Sequence, residues 1–305
     1  MPSSKPPVWP QLCIVAATLI FGSSFLIMKQ AVDGIPVFIL LAIRFTTAGA
    51  ALALIFWKKW RLLNRETLLG GAVLGTLMFL GYAFQTYGLS GLGSWEGTTP
   101  GKNAFLTATY CVLVPFLNWI ISHKRPDRYN VAAAALCLVG TGLVSLTEDF
   151  SVVGGDILTL ICGVAFSLHI IAVTHYSKRC DVLLLTVLQF LFMALWSWVG
   201  IFVTGERLAA LPAGADLLRL AYLIVCASGL AMLFQNTGQA QTPAATGAVL
   251  LSLEAPFGVF FSVLFGNERP TSRMYLGFVL IFFAVILSET KLSFLSKKKE
   301  VEIGG

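Results

Sequence analysis

Long apolar runs alternate with short polar breaks along almost the whole chain. A transmembrane helix needs about 20 mainly apolar residues to cross a hydrocarbon core of about 30 Å. The breaks carry turn signals, as at residues 33–36 and 154–155, or clustered charges, as at 58–66. The pattern predicts ten membrane-spanning helices, near residues 11–30, 36–57, 67–89, 99–121, 129–146, 154–175, 181–203, 217–240, 242–265 and 271–290.

The composition favours a membrane protein over a soluble one. Of the 305 residues, 57% are hydrophobic and only 12% are charged, and the mean hydropathy is +0.82. Soluble domains usually carry about 25% charged residues, because their surface faces water. Disordered chains combine low hydrophobicity with high net charge, which excludes that class as well. We therefore expect a multi-pass protein of the cell (inner or plasma) membrane, surrounded by the lipid bilayer.

The net charge of +6 predicts an orientation rather than a nucleic-acid partner. The basic residues lie in short runs between apolar stretches, whereas a nucleic-acid-binding protein gathers them on one face. With both termini cytoplasmic, fourteen lysines and arginines fall in inner segments, and three (Arg207, Arg269 and Arg273) fall in outer loops. Cytoplasmic loops of membrane proteins carry such an excess. The charge pattern therefore predicts that both termini are cytoplasmic.

The two halves of the chain share local patterns in the same order. Residues 83–88 resemble 233–238, 99–100 resemble 242–243, and 115–116 resemble 256–257. Arg44-Phe45 corresponds to Gln189-Phe190. Because each half has an odd number of spans, the second half enters the membrane from the opposite side. Inverted repeats are typical of secondary transporters, which bind substrate near the bilayer midplane at the repeat interface.

This pattern predicts the domain organisation of an all-α membrane protein. The expected segments are a cytoplasmic N-terminal segment at 1–10, a first five-helix repeat at 11–146, a second, inverted repeat at 154–290, and a basic cytoplasmic tail at 291–305.

Several local motifs make the chain resemble the drug/metabolite transporter superfamily, in particular its EamA-type ten-helix branch. They are residues 21–25 with Lys29, Arg44-Phe45, residues 253–256 and residues 266–270, and the resemblance extends over about residues 12–290. It implies a carrier that moves a small metabolite, amino acid-like or drug-like, by alternating access. Export is the expected direction, and transport is either proton-coupled or facilitative. The family carries varied metabolites and drugs, so the substrate stays open.

Two ionisable residues lie deep within predicted spans. A charge at mid-span costs about 2.5–3.5 kcal/mol on insertion scales, so its presence requires a reason. Glu254 is a candidate for proton coupling or for pairing with a cationic substrate. His169 is a candidate for proton-linked gating, because histidine titrates near neutral pH. The alternative interpretation of both residues is a structural hydrogen bond to a neighbouring helix.

The remaining candidates for substrate binding are polar residues within the spans. Gln85 and Gln235 occupy equivalent positions in the two repeats and are expected near the axis that relates them. Amide side chains also join helices to each other in lipid, which is the alternative for these residues. Arg44 is expected to face an anionic substrate or to pair with another helix. Three further candidates follow on the same grounds: Asn236, Tyr82 and Asn103.

A membrane-embedded enzyme or lipid-handling protein is the rival hypothesis. It would use Glu254 and His169 as an acid/base pair within hydrogen-bond reach of each other. The carrier hypothesis instead predicts a polar cavity between the halves, lined by Gln85 and Gln235 together. HExxH, GxSxG and GxGxxG motifs are absent from the sequence. We therefore expect no enzyme activity, no cofactor and no metal. A small-molecule substrate is the expected partner, with protons as a candidate coupling ion, and the oligomeric state stays open.

Overall fold

The fold is almost entirely helical in a computed structural model, which describes residues 8–123, 125–145, 152–208, 212–265 and 271–291. Residues 1–7, Lys124, the predicted motif at 266–270 and the tail beyond Lys291 lie outside the described residues. The α-helices in chain order are α1 (Trp9–Val32), α2 (Val37–Ile55), α3 (Arg65–Ser90), α4 (Pro100–Thr107), α5 (Tyr110–Ser122), α6 (Arg128–Ser145), α7 (Gly154–Tyr176), α8 (Val182–Thr204), α9 (Ala215–Tyr222), α10 (Ala231–Gln239), α11 (Ala244–Leu251), α12 (Glu254–Phe265) and α13 (Ser272–Thr290).

Eight helical stretches of the described chain are long and apolar enough to cross a membrane, when broken stretches such as α4–α5 are counted as one. Two further apolar helices, α6 and α13, are shorter. Both lie where the sequence predicts its fifth and tenth spans. The all-helical membrane fold is therefore confirmed. A total of ten spans and a cytoplasmic position of both termini stay predictions.

Three of the predicted spans are interrupted. The fourth divides into α4 and α5 at Ala108 and Thr109, and the ninth divides into α11 and α12 at Ser252 and Leu253. At the first break, the Thr109 hydroxyl donates to the Leu106 carbonyl at 2.6 Å and so competes with the helical hydrogen bond. At the second, Pro256 has no N–H to donate to the carbonyl of Ser252. In the eighth span, a π-helical segment (Leu223–Leu230) joins α9 to α10.

The packing follows the inverted repeat. Helix α3 of the first half packs on α7 of the second half. The equivalent contact, between α10 of the second half and α1 of the first half, is also present. The equivalent helices α2 and α8 pack on each other, as do α6 and α13. Equivalent residues also meet: the rings of Phe45 and Phe190 lie 5.3 Å apart, and the Tyr82 hydroxyl lies 3.9 Å from the Met232 sulfur. A pseudo-twofold axis therefore passes between these pairs.

Close backbone approach at Gly22 brings α1 against α12. A Cβ atom at this position would lie 2.6 Å from the Cβ of Phe257 and 2.7 Å from the carbonyl oxygen of Glu254. Small residues permit such approaches between membrane helices, where packing replaces the hydrophobic driving force. The contact fixes the start of α12, and with it Glu254, next to the middle of α1.

Ion pairs join helix ends on both sides of the molecule. On the predicted cytoplasmic side, the Lys59 ammonium lies 2.7 Å from the carboxylate of Asp181, which caps α8. Partial burial raises the pKa of Asp181, but the hydrogen bonds from Lys59 and from backbone N–H groups outweigh it, so the net pKa is below its usual value. On the predicted outer side, Lys102 at the start of α4 pairs with Asp156 at the start of α7 at 2.6 Å.

Candidate functional site

A cavity lies between the two halves, near the middle of the helices. It is partly open to the surroundings. The first half contributes side chains from α1, α3 and α5, and the second half contributes side chains from α7, α10, α11 and α12. Its polar lining consists of Ser24, Tyr82, Gln85, Tyr110, His169, Gln235 and Glu254.

The equivalent residues Gln85 and Gln235 line this cavity together, as the carrier hypothesis predicts. The Gln85 amide nitrogen donates to the Thr107 hydroxyl at 3.2 Å. The amide nitrogen of Gln235 donates to the Gln239 side-chain oxygen at 3.5 Å. Neither amide oxygen of the pair accepts a hydrogen bond from a described residue. The cavity therefore presents two hydrogen-bond acceptors, one from each half.

Glu254 and Tyr110 meet across the interface between the two halves. Each residue is the first of the helix that follows a break, Tyr110 in α5 and Glu254 in α12. The Tyr110 hydroxyl donates to one carboxylate oxygen of Glu254 at 2.9 Å. The other carboxylate oxygen has no partner among the described residues, and the side chain, 7% exposed, lines the cavity. The breaks thus bring the only acidic side chain of the described cavity wall to its centre.

His169 lines the cavity from α7, but it does not pair with Glu254. Its Nε2 atom lies 3.1 Å from the side-chain oxygen of Gln189, and its Nδ1 atom has no partner among the described residues. The residue is only 1% exposed. The hydrogen bonds of His169 and Glu254 thus go to different residues, Gln189 and Tyr110. The acid/base pair that the enzyme hypothesis requires is not formed.

Tyr82 lines the cavity, whereas Arg44 lies behind the wall. The Tyr82 ring packs edge-on against the Phe166 ring, with 5.4 Å between the ring centres. The Arg44 guanidinium lies 5.4 Å from the centre of the Tyr82 ring. Arg44 is 1% exposed and donates to the Ser228 hydroxyl at 3.1 and 3.3 Å and to the Met28 sulfur at 3.6 Å. In this structure Arg44 contacts a neighbouring helical segment, and its contact with substrate stays a prediction.

Asn103 and Asn236 also lie behind the wall. The Asn103 amide donates to the Gln85 carbonyl at 3.1 Å and to the Thr159 hydroxyl at 2.8 Å, which joins α4 to α3 and α7. The Asn236 amide donates to the Thr186 hydroxyl at 2.9 Å, which joins α10 to α8. Both asparagines are buried, and neither lines the cavity. In this structure they form the alternative, hydrogen bonds between helices, and their role in substrate binding stays a prediction.

Sequence reasoning missed Tyr110 and the aromatic lining. The rings of Phe21, Phe25 and Phe166 complete the wall around Tyr82 and Tyr110. Tyrosine and phenylalanine are ordinary residues of apolar spans, so their types gave no signal. The repeat offered a partial signal: Thr99-Pro100 and Thr242-Pro243 open equivalent spans, and Tyr110 lies on the span equivalent to that of Glu254.

The cavity extends toward one side of the molecule only. Its lining includes Met28 and Leu89, near the ends of α1 and α3 on the predicted outer side. The residue equivalent to Leu89 is Gln239, which does not line the cavity. Both side chains are buried, at 1% exposure each. At the Gln239 end, Ile14 of α1 packs against Gly238 of α10. The cavity lining therefore extends to Leu89 in one repeat but not to the equivalent position of the other.

Comparisons with known proteins agree with this architecture. The model of the EamA-like transporter family matches residues 8–146 and again residues 153–290. A protein of Archaeoglobus fulgidus named "Uncharacterized transporter" is 32% identical over 286 residues, which cover 92% of this chain and 85% of the relative. "Uncharacterized transporter YoaV" of Bacillus subtilis is 21% identical over 284 residues, 91% of this chain and 95% of the relative.

A solved crystal structure is also similar, with a TM-score of 0.77 at 17% sequence identity. The match covers 94% of this chain and 98% of that chain, and at this identity it shows the fold alone. The family match, by contrast, extends over both repeats. The chain therefore belongs to the EamA-like transporter family and is a multi-pass membrane transporter.

Proposed function

We propose that the protein is a secondary carrier of a small metabolite, amino acid-like or drug-like, in the cell (inner or plasma) membrane. The observation that carries this proposal is the polar cavity between two inverted repeats, whose lining extends to Leu89 but not to the equivalent Gln239. A carrier must hold its substrate where both sides can be reached in turn. The repeat interface near the bilayer midplane provides such a place.

Alternating access follows from the inverted symmetry. If each half can adopt the conformation of the other, the same sequence has a second state that opens at Gln239 and closes at Leu89. Pairs such as Phe45–Phe190 and Tyr82–Met232 lie near the axis, where rocking displaces atoms least. The Tyr110–Glu254 hydrogen bond also joins the two halves. Substrate bound at these residues would stay in place while the two ends of the cavity exchange accessibility.

Export and proton coupling are the finer parts of this proposal. Export rests on the resemblance to the family alone. Proton coupling rests on Glu254, whose carboxyl group has one oxygen held by Tyr110 and the other directed at the cavity. A carboxyl group in this position can exchange its proton with water that enters the cavity. The rival enzyme hypothesis has less support, because His169 and Glu254 have separate partners.

Uptake of a panel of labelled metabolites into proteoliposomes tests the proposal. We expect at least one substrate to accumulate, and an imposed pH gradient to change its rate if transport is proton-coupled. Glu254→Gln keeps the shape of the side chain but cannot release a proton, so this variant should lose the response to the gradient. Unchanged proton-linked flux in Glu254→Gln would contradict the coupling role. Chemical conversion of a panel compound without its accumulation would favour the enzyme.

A further inference from the structure

We propose that the cavity selects substrates that carry a protonated amine, and that the Glu254 carboxylate is the counter-charge for this amine. The inference rests on the proposed carrier function and specifies the substrate class. Three properties of the cavity wall carry it: the sign of its charge, the orientation of its amides and its aromatic rings.

The cavity wall contains one acidic side chain, Glu254, and one histidine, His169, among otherwise neutral residues. Glu254 is the only acidic residue of the described cavity lining, and the same lining contains no lysine or arginine. One Glu254 carboxylate oxygen is held by Tyr110, and the other faces the cavity without a described partner. A buried carboxylate is stable only when it is paired and hydrogen-bonded. A protonated amine in the cavity would complete this pair, whereas a substrate carboxylate would be repelled by it.

The amides on the wall present acceptors. Gln85 and Gln235 each use one amide N–H group within the protein, toward Thr107 and Gln239. Their amide oxygens are left for the cavity, one from each repeat. An ammonium group has three N–H donors and no acceptor. Together with the free oxygen of Glu254, these two oxygens offer the cavity three acceptor groups, as many as an ammonium group has donors.

Aromatic rings form much of the remaining wall. Phe21, Phe25, Tyr82, Tyr110 and Phe166 all line the cavity. The negative face of an aromatic ring attracts a cation, by about 0.5–2 kcal/mol depending on how far water is excluded. The same rings exclude water around an apolar substrate body. The wall therefore fits an amine attached to a small apolar group.

The nearest arginine does not offer an anion site. The Arg44 guanidinium is separated from the cavity by Tyr82 and Met28, which line it. Its side-chain hydrogen bonds go to the Ser228 hydroxyl and the Met28 sulfur. A substrate carboxylate would have to displace the wall to reach it. Arg44 therefore supports the cavity wall and does not set the charge preference.

Three probes of similar size test the charge preference in the purified full-length protein. They are phenethylamine, which is cationic, 2-phenylethanol, which is neutral, and phenylacetate, which is anionic. Their dissociation constants would be measured by calorimetry in detergent. A hydrogen bond to a charged group contributes about 1.5–3 kcal/mol, so we expect the amine to bind about tenfold or more tightly than the alcohol. Phenylacetate should bind most weakly.

Two variants identify the residue responsible. In Glu254→Gln, the affinity of phenethylamine should fall to within about threefold of that of 2-phenylethanol, because the counter-charge is removed. Asp216→Asn removes a carboxylate outside the cavity, where it pairs with Arg219, and should leave the preference unchanged. Tighter binding of phenylacetate than of phenethylamine to the unaltered protein would overturn the proposal. An undiminished amine preference in folded Glu254→Gln would overturn it too.

These outcomes are distinct from a failure of the proposed function. Binding in detergent requires no transport, so amine binding with no accumulation of any amine in proteoliposomes would contradict the carrier and leave the inference standing. Accumulation of a metabolite without amine selectivity would contradict the inference alone. If Glu254→Gln does not fold, the comparison of the three probes on the unaltered protein still decides the charge preference.

Discussion

Arg44 shows how a buried charge is tolerated within an apolar span. The side chain is 1% exposed and forms no ion pair with a described residue. It instead donates two hydrogen bonds to the Ser228 hydroxyl and lies against the rings of Phe45 and Tyr82, 5.2 and 5.4 Å from their centres. Hydrogen bonds and cation–π contacts thus take the place of a carboxylate. Ser228 is therefore expected to contribute more to stability than its size suggests.

Replacement of Ser228 by alanine should lower the stability of the fold measurably. The change leaves the Nε and Nη2 donors of Arg44 without their acceptor, which costs about 1–3 kcal/mol for a buried group. Thermal unfolding in detergent measures the effect. Ser197→Ala is the matched control, because the equally buried Ser197 hydroxyl donates only to the Met193 carbonyl of its own helix. Equal shifts in the two variants would contradict the role of Ser228.

At the residue scale, a polar residue within an apolar span was usually buried. Polarity predicted less well whether the side chain lines the cavity. Five of the candidates line the cavity: Gln85, Gln235, His169, Glu254 and Tyr82. Asn103, Asn236 and Arg44 gave the same signal, yet they join helices behind the wall. The sequence does not specify how far each helix is rotated about its own axis. This rotation decides whether a polar side chain faces the cavity or a neighbouring helix.

At the scale of the helices, the predicted spans agree with the structure in position but not in continuity. Apolar length predicts where a helix lies, whereas the breaks depend on single hydrogen bonds, such as that of Thr109 to the Leu106 carbonyl. The π-helical segment at 223–230 contains no proline. Its irregular turn places Ser228 against Arg44. This tertiary contact could not be predicted from the local sequence. The breaks matter for function, because Tyr110 and Glu254, which line the cavity, are the first residues of the helices that follow them.

The contact between α1 and α12 should be sensitive to a single methyl group. In Gly22→Ala, the new Cβ would lie 2.6 Å from the Phe257 Cβ and 2.7 Å from the Glu254 carbonyl oxygen, so the helices must separate. Overpacking of this kind costs about 1–3 kcal/mol. In Gly258→Ala the nearest atom is the Gly22 carbonyl oxygen at 3.4 Å, and the change should be tolerated. Thermal unfolding of both variants measures the difference, and a smaller shift for Gly22→Ala would contradict the packing.

At the scale of the whole molecule, a symmetric architecture contains an asymmetric cavity. Helix contacts such as α2 with α8 and α6 with α13 have the symmetry of the inverted repeat. The cavity lacks this symmetry, because its lining includes Leu89 but not the equivalent Gln239. Two halves of different sequence can adopt unlike conformations, and exchanging these conformations moves the opening to the other side. Under the proposed alternating access, the observed structure is one of two states of the carrier.

Accessibility of Leu89→Cys and Gln239→Cys to a membrane-impermeant maleimide tests this account most directly. The two variants would be labelled from either side of oriented membrane vesicles, on a background in which the native cysteines are replaced. We predict that the thiol introduced at position 89 reacts only from the side on which the cavity opens, and that the thiol introduced at position 239 reacts only from the opposite side. In the double variant, a bulky adduct at position 89 should hold the cavity open and slow the reaction at position 239. Labelling of both positions from the same side, or a thiol at position 239 that never reacts, would contradict alternating access.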